Sequence, residues 1–236
     1  MQFGQFVIIC GHYGCGKTNF ALNLAVDAVK RGEKVTLVDL DLVNPYFRSS
    51  DYEDLLHQHG ISLIAPVFAH SNLDLPALPA RLQSIFAMPD QTVILDVGGD
   101  DAGATALGGL SAKIREHGAY QMLYLVNRYR ALTTQSEQAV ELLGEIERAS
   151  RLRATAVVNN SHLQQQTASR DILEALPYGR QVAQQLGLPL AATTAPVALA
   201  QELQGQVENL YPVTRYVRPV WETDGQDAQP GKGGAV

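Results

Sequence analysis

Short apolar runs bounded by turn residues alternate along this chain with longer segments of helical period. Phe6–Cys10 is nearly continuous in apolar residues, the pattern of a strand covered on both faces. The segment Lys17–Arg31 carries Phe20, Ala21, Leu24, Ala25 and Ala28 on one stripe, which predicts a helix, and Gly32 supplies its stop. Further strands are predicted at Lys34–Leu40, Ile61–Ala65, Thr92–Asp96, Tyr120–Val126, Ala154–Asn159 and Leu190–Thr193. Helices are predicted between them at Arg48–His59, Leu75–Phe86, Gly103–His117, Leu132–Ala149, Ala168–Leu186 and Val197–Leu203. Strands that alternate with helices imply right-handed crossovers, and so an α/β fold: a doubly wound, mostly parallel β-sheet with helices on both faces. Ligands in such folds sit beyond the carboxyl ends of the strands. Gly11, Asp39, Asp41, Asp96, Asn127 and Asn159 all fall at those predicted ends.

Composition narrows the class without changing the fold. With 46% hydrophobic and 18% charged residues, the 236-residue chain is neither disordered nor membrane-like. One nucleotide-binding domain is expected over residues 1–221. The stretch 222–236, rich in Gly, Gln, Asp and Pro, is expected to be a disordered tail. It has no amphipathic helical pattern, and no apolar stretch approaches the about 18 residues a spanning helix needs, so no membrane contact is expected. Cys10 and Cys15 are the only cysteines, too few for a disulfide framework or a four-cysteine metal site. That usage, together with an opening MQFGQFVIICG that carries no basic leader, suits a cytoplasmic protein. The net charge of −6 argues against a constitutive nucleic-acid binder. Arg148, Arg151 and Arg153 among acidic neighbours read as a solvated face, so DNA is not an expected partner. His57 and His59 have no third convergent ligand and read as a solvated helix end.

Gly11-His12-Tyr13-Gly14-Cys15-Gly16-Lys17-Thr18 fits G-x-x-x-x-G-K-[ST], and it follows a strand and opens a helix. Glycines allow backbone N–H groups to turn inward around phosphate oxygens, and the helix N-terminus adds its positive end. Lys17 is expected on the β- and γ-phosphates and Thr18 on Mg²⁺. Val93-Ile94-Leu95-Asp96 is an apolar strand ending in a carboxylate, the arrangement that holds the metal through water. Three residues on, Gly99 completes a D-x-x-G pattern whose N–H is suited to sensing the γ-phosphate. On the second strand, Asp39 and Asp41 share a side by alternation. Asp41 is the candidate for orienting the attacking water, with Asp39 supporting the metal shell. Cys15 reads as a small residue that fits the turn, although a helix N-terminus also favours a thiolate. The guanine-reading pattern N-K-x-D is absent, since the sixth strand ends in Asn159-Asn160-Ser161-His162, which favours adenine. Asn127-Arg128-Tyr129-Arg130 lies on the ligand edge as a candidate contact for nucleotide or effector.

These residues resemble the MinD/ParA/CobQ-type P-loop ATPases, the deviant-Walker (SIMIBI) group. The resemblance is carried by the phosphate loop, Val35–Arg48, Val93–Gly103 and Val157–Asn160, and it extends in spacing over about the first 200 residues. It implies ATP and Mg²⁺ as ligands, ATP-dependent homodimerisation, and hydrolysis that switches an interaction with a protein partner. It carries the same roles to Lys17, Thr18, Asp41 and Asp96, includes Asn19 with the loop as a nucleotide contact, and implies adenine recognition by Asn159. The family usually reads K-G-G-x-G-K-[ST], and its first lysine reaches the partner subunit's nucleotide. His12 stands at that position here and Tyr13 replaces the next glycine. Histidine is shorter and only partly cationic near neutral pH, so slow intrinsic hydrolysis that rises with a partner is expected. Arg48, after Asn44-Pro45-Tyr46-Phe47, is a candidate source of the missing charge.

Three functions remain open on the sequence. One is a nucleotide-driven switch for a protein partner. Another is an ATP-dependent enzyme that activates a small molecule, as dethiobiotin synthetase and cobyrinic-acid amidase relatives do. The third is a binding module without turnover.

Overall fold

The strand β1 (Phe6–Gly11) sends Phe6, Ile8 and Cys10 to one face and Val7 and Ile9 to the other, and both sets are buried. A strand that is apolar on both faces must lie between two helical layers. The computed structural model describes residues 4–41, 52–65, 79–88 and 90–217, and β1 is central there. Following it are α1 (Lys17–Lys30), β2 (Lys34–Leu40), α2 (Glu53–Gln58), β3 (Ser62–Ile64), α3 (Pro79–Ser84) and β4 (Gln91–Val97). The second half comprises α4 (Asp101–His117), β5 (Tyr120–Val126), α5 (Ser136–Ser150), β6 (Ala156–Asn159), α6 (Ser169–Leu186), β7 (Leu190–Pro196), α7 (Ala200–Leu203) and β8 (Leu210–Val213).

The eight strands form one sheet in the order β3-β2-β4-β1-β5-β6-β7-β8, and every described pairing is parallel. One face buries Leu107 and Ile114 of α4, Leu143 of α5 and Val182 of α6 against β1, β4 and β5. The opposite face buries Phe20, Leu24 and Ala28 of α1 and Leu56 of α2. This is the doubly wound sheet that the alternating pattern predicts. The chain leaves β1 toward β2 on one side and returns through β4 to β5 on the other, so the loop after β1 lies at the switch point where such sheets hold ligands.

Three of the departures from the predicted boundaries have identifiable reasons. β8 is additional, and it was hidden by Pro212. Proline lacks the ladder N–H and is tolerated at an edge, where β8 lies. The helix predicted from Leu132 begins at Ser136, because residues 127–133 form a hydrogen-bonded turn and Leu132 adopts φ 66°. β7 continues to Pro196, past its predicted end at Thr193. Arg48, the segment Asn44–Phe47, residues 75–78 and the tail 222–236 lie outside the described residues. Among the described residues, no helix is long and apolar enough to cross a membrane.

Candidate functional site

The loop between β1 and α1 is shaped by close backbone approaches. Gly11 has φ 149°, and a Cβ there would stand 2.4 Å from the Leu125 carbonyl oxygen of β5. Gly16 has φ 97°, and a Cβ there would stand 2.4 Å from Asn160 Nδ2. Neither position accepts a side chain without moving the loop. Gly16 is also the N-cap of α1 and makes no side-chain cap bond, so the N-terminus of a 14-residue helix opens onto the loop. A cavity of about 200 Å³ lies there, lined by Tyr13, Gly14, Gly16, Lys17, Thr18, Asn19, Asp41, Arg130, Gln164 and Val217.

Lys17 is buried, and its Nζ donates to the His12 carbonyl at 3.1 Å. The His12 ring folds back on its own loop, where Nδ1–H donates to the Tyr13 carbonyl at 2.9 Å. Tyr13 is half exposed. Cys15 is buried beneath the loop, and burial pushes its thiol above the ordinary range. It therefore behaves as a small apolar filler rather than as a thiolate. Cys10, on β1, is raised by burial in the same way.

Asp39 and Asp96 lie side by side in register on β2 and β4, and both are buried. Asp39 Oδ1 accepts from the Asp41 N–H at 2.9 Å, which turns the chain at the end of β2 and brings Asp41 to the cavity. After β4, Gly99 rests directly on the phosphate loop. A Cβ there would stand 2.6 Å from Tyr13 Cα and N and 2.8 Å from Lys17 Nζ. Asp100 then caps α4 by accepting from the Gly103 N–H at 2.9 Å. The oxygen donors Thr18, Asp41, Asp39 and Asp96 are the hard type that Mg²⁺ prefers. Among the described residues, no three His, Cys, Asp or Glu side chains converge as a cage. Mg²⁺ keeps waters and substrate phosphates in its shell rather than a full protein cage, so this donor set fits it.

The end of β6 differs from what the resemblance implies. Asn159 is fully buried, its Nδ2 donates to the Ala175 carbonyl of α6 at 3.2 Å, and its Oδ1 accepts from the Ser161 N–H at 3.3 Å. It lines neither cavity at this edge, so the base-recognition role is a mismatch with its position. Its neighbour Asn160 reaches the loop instead. Asn160 Nδ2 donates to the Cys15 carbonyl at 2.6 Å, while Oδ1 accepts from the Thr194 hydroxyl and from His162 Nε2–H. The ring tautomer follows from the contacts: His162 Nδ1 accepts from the Gln164 N–H at 3.2 Å, which leaves the proton on Nε2. Burial, reinforced by the Arg130 charge, holds the His162 pKa down to about 4, so the ring is neutral near pH 7.

A second cavity of about 590 Å³ adjoins the first through Asn19 and Gln164. Its walls are the apolar run Pro196–Leu199 and residues His162, Thr167, Val213, Thr214 and Arg215, with no carboxylate. Asn19 clamps one wall to α1. Its Nδ2 donates to the Thr214 carbonyl at 3.1 Å, and its Oδ1 accepts from the N–H groups of Tyr216 and Val217. Asn23 repeats the clamp on Thr214 through both its amide atoms. The structure thus gathers Gly14, Lys17, Thr18 and Asp41 around one cavity, with Asp39, Asp96 and Gly99 packed beside it. Asn160, His162 and the Asn23 clamp were not singled out from the sequence as site residues. Arg130 was visible only as part of a polar strand end.

A family model for the CobQ/CobB/MinD/ParA nucleotide-binding domain matches residues 6–186. No curated protein matches the sequence significantly. Among solved structures, the fold is similar to the 54 kDa signal recognition particle protein of Aeropyrum pernix in complex with GDP, with TM-score 0.53 and 18% identity over 81% of this chain and 41% of that one. It is also similar to the cell division protein FtsY of Thermotoga maritima, with TM-score 0.55 and 19% identity over 83% and 63%. Chloroplast FtsY of Physcomitrella patens matches with TM-score 0.55 and 16% identity over 81% and 60%. The chain spans 41–63% of the length of these three proteins, and at such identities the likeness is one of fold.

Proposed function

The chain belongs to the CobQ/CobB/MinD/ParA nucleotide-binding domain family, and on that premise we propose that it binds Mg²⁺-ATP and acts as a slow ATPase switch for a protein partner. The observation that carries this reading is the loop itself. Three glycines with positive φ, at 149°, 72° and 97°, precede the α1 N-terminus, with Lys17 and Asp41 converging on one cavity. That arrangement presents backbone N–H groups and an ammonium to a polyphosphate. Thr18 and, through water, Asp96 would hold Mg²⁺, which supplies charge neutralisation at the phosphates. Asp41 is the carboxylate that lines the cavity and would orient an attacking water, and Gly99 brings the strand β4 turn against Lys17.

Adenine is favoured by the adjoining cavity. Its apolar Pro196–Leu199 wall suits a purine face, its volume is in the range of small-ligand pockets, and it presents no carboxylate to a guanine edge. A protein partner or a nucleotide-dependent second copy is favoured by exposed apolar side chains, Tyr13 of the loop at 51% and Leu132 of the turn after β5 at 68% exposure. Neither DNA nor a membrane belongs to this proposal. Arg153 pairs with Glu147 and Arg148 Nε donates to the Gly144 carbonyl, so that basic run is engaged locally.

His12 at the usual lysine position, with its ring turned onto Tyr13, favours a second reading: a binding module without turnover. ATP hydrolysis with Mg²⁺, measured over a range of protein concentrations, separates the two. A switch gives a low rate that rises with concentration or with an added partner and is abolished in Lys17→Ala. A module binds ATP and yields no phosphate under any of these conditions. A high rate independent of concentration contradicts both.

A further inference from the structure

The turn after β5 brings a second cation to the phosphate loop. Its backbone is held firmly. The Arg130 N–H donates to the Asn127 carbonyl at 3.1 Å, and the Arg130 carbonyl accepts from the Thr133 N–H at 3.2 Å. The Thr133 hydroxyl donates to the Asn127 carbonyl at 3.0 Å, and Tyr178 of α6 donates its hydroxyl to the Thr133 carbonyl at 2.6 Å. From this braced turn the Arg130 side chain passes over the loop. Its Cδ and Nε both lie 3.9 Å from the place a Cβ at Gly14 would occupy. It shares the cavity with Gly14, Lys17, Thr18 and Asp41.

The chemistry of this arginine is unfinished within the protein. Arg130 Nε is buried and makes no hydrogen bond. Among the described residues, none of the ion pairs includes Arg130. A buried N–H without a partner is unfavourable, and a guanidinium placed at a phosphate-binding loop finds its partners in phosphate oxygens, which its planar fork matches. The position of Gly14, three residues before Lys17, puts that fork over the middle of the loop.

We propose that Arg130 is a phosphate-contacting residue acting in cis: its guanidinium binds the nucleotide's polyphosphate oxygens above Gly14. It thereby supplies from the same chain a positive charge that relatives draw from a partner subunit's lysine, at the position occupied here by His12. An arginine in cis is an established solution to the charge problem of phosphoryl transfer. The inference rests on the nucleotide reading above and adds a specific residue and topology to it.

Calorimetric titration of Mg²⁺-ATP into the wild type, Arg130→Gln, Arg130→Ala, Arg130→Lys and Lys17→Ala, at two protein concentrations, tests it. Arg130→Gln and Arg130→Ala should bind about 10- to 100-fold more weakly, the range for losing charge-assisted bonds. The loss should be the same at both concentrations, and Arg130→Lys should recover part of it. Melting temperature without nucleotide should be unchanged in Arg130→Gln, because no protein hydrogen bond of Nε is removed. Arg130→Gln that binds ATP as the wild type does, while Lys17→Ala has lost binding, overturns the inference and leaves the nucleotide reading standing. A loss confined to the concentration at which the chain self-associates overturns the claim that the residue acts in cis. Lys17→Ala that binds as tightly as wild type overturns the nucleotide reading, and this inference with it.

Discussion

Replacing Asn160 by alanine should uncouple the phosphate loop from the sheet. The Asn160 side chain is 4% exposed and satisfies three groups: the Cys15 carbonyl, the Thr194 hydroxyl and the His162 Nε2–H. Alanine leaves the Cys15 carbonyl and the His162 N–H without that partner, while the Thr194 hydroxyl retains a 3.4 Å contact with the Asn159 carbonyl. Each buried polar group left unpaired costs about 1–3 kcal/mol, so the two together predict a destabilisation of about 2–6 kcal/mol. The function of the loop should suffer as well. The 2.6 Å bond to Cys15 fixes the peptide between Gly14 and Gly16, whose N–H groups must converge on a phosphate. Denaturant unfolding and ATP titration on the same samples report both effects, and about a tenfold loss of affinity is expected beyond any loss of folded protein. Asn159→Ala is the matched comparison, because Asn159 is as deeply buried but bonds to α6 and Ser161. It should lose stability and keep its ATP affinity. Asn160→Ala within about 1 kcal/mol of wild-type stability would refute the reasoning. So would an Asn159→Ala protein that loses ATP affinity as severely as Asn160→Ala.

His162 predicts a pH dependence of stability. Its folded pKa of about 4 lies below the ordinary 6.5, so the unfolded chain binds the proton more readily between those values. Its contribution is therefore complete above pH 6.5 and is lost as pH falls toward 4, roughly 3 kcal/mol over the window. Unfolding free energies at pH 7 and pH 4.5 should converge between wild type and His162→Gln at the lower pH, and an unchanged difference would contradict the assignment. Gly99→Ala should push the β4 turn off Tyr13 and Lys17, since the added Cβ meets backbone atoms at 2.6 Å. An overpacking penalty of about 1–3 kcal/mol with weakened ATP binding is expected by unfolding and titration. Gly109→Ala, on the exposed side of α4 with nothing within 4 Å, should instead gain about 0.5–1 kcal/mol and leave binding alone.

Much of this site was legible because its residues are contiguous. The Gly11–Thr18 spacing determines where the glycines, Lys17 and Thr18 sit relative to one strand and one helix, whatever the rest of the chain does. Asp41 and Asp96 were legible as the polar ends of apolar strands. Asn159 and Asn160 were not separable, because adjacent residues at a strand end face opposite ways and the choice depends on register. The β6–β7 ladder shifts register between Val157 and Val158, just before the pair, and no residue type announces that shift. Arg130 and His162 depend on the path of irregular loops, where no period carries information. β8 was concealed by the proline that an edge strand tolerates.

The central claim is that the loop after β1 binds a nucleoside triphosphate through Lys17. Equilibrium titration of Mg²⁺-ATP into wild type and Lys17→Ala, with Mg²⁺-GTP as the competing purine, tests it most directly. Saturable ATP binding that GTP does not match, lost in Lys17→Ala while the variant remains folded, is the predicted result. Equal ATP affinity in the two proteins, or no purine nucleotide bound by the wild type, would contradict it.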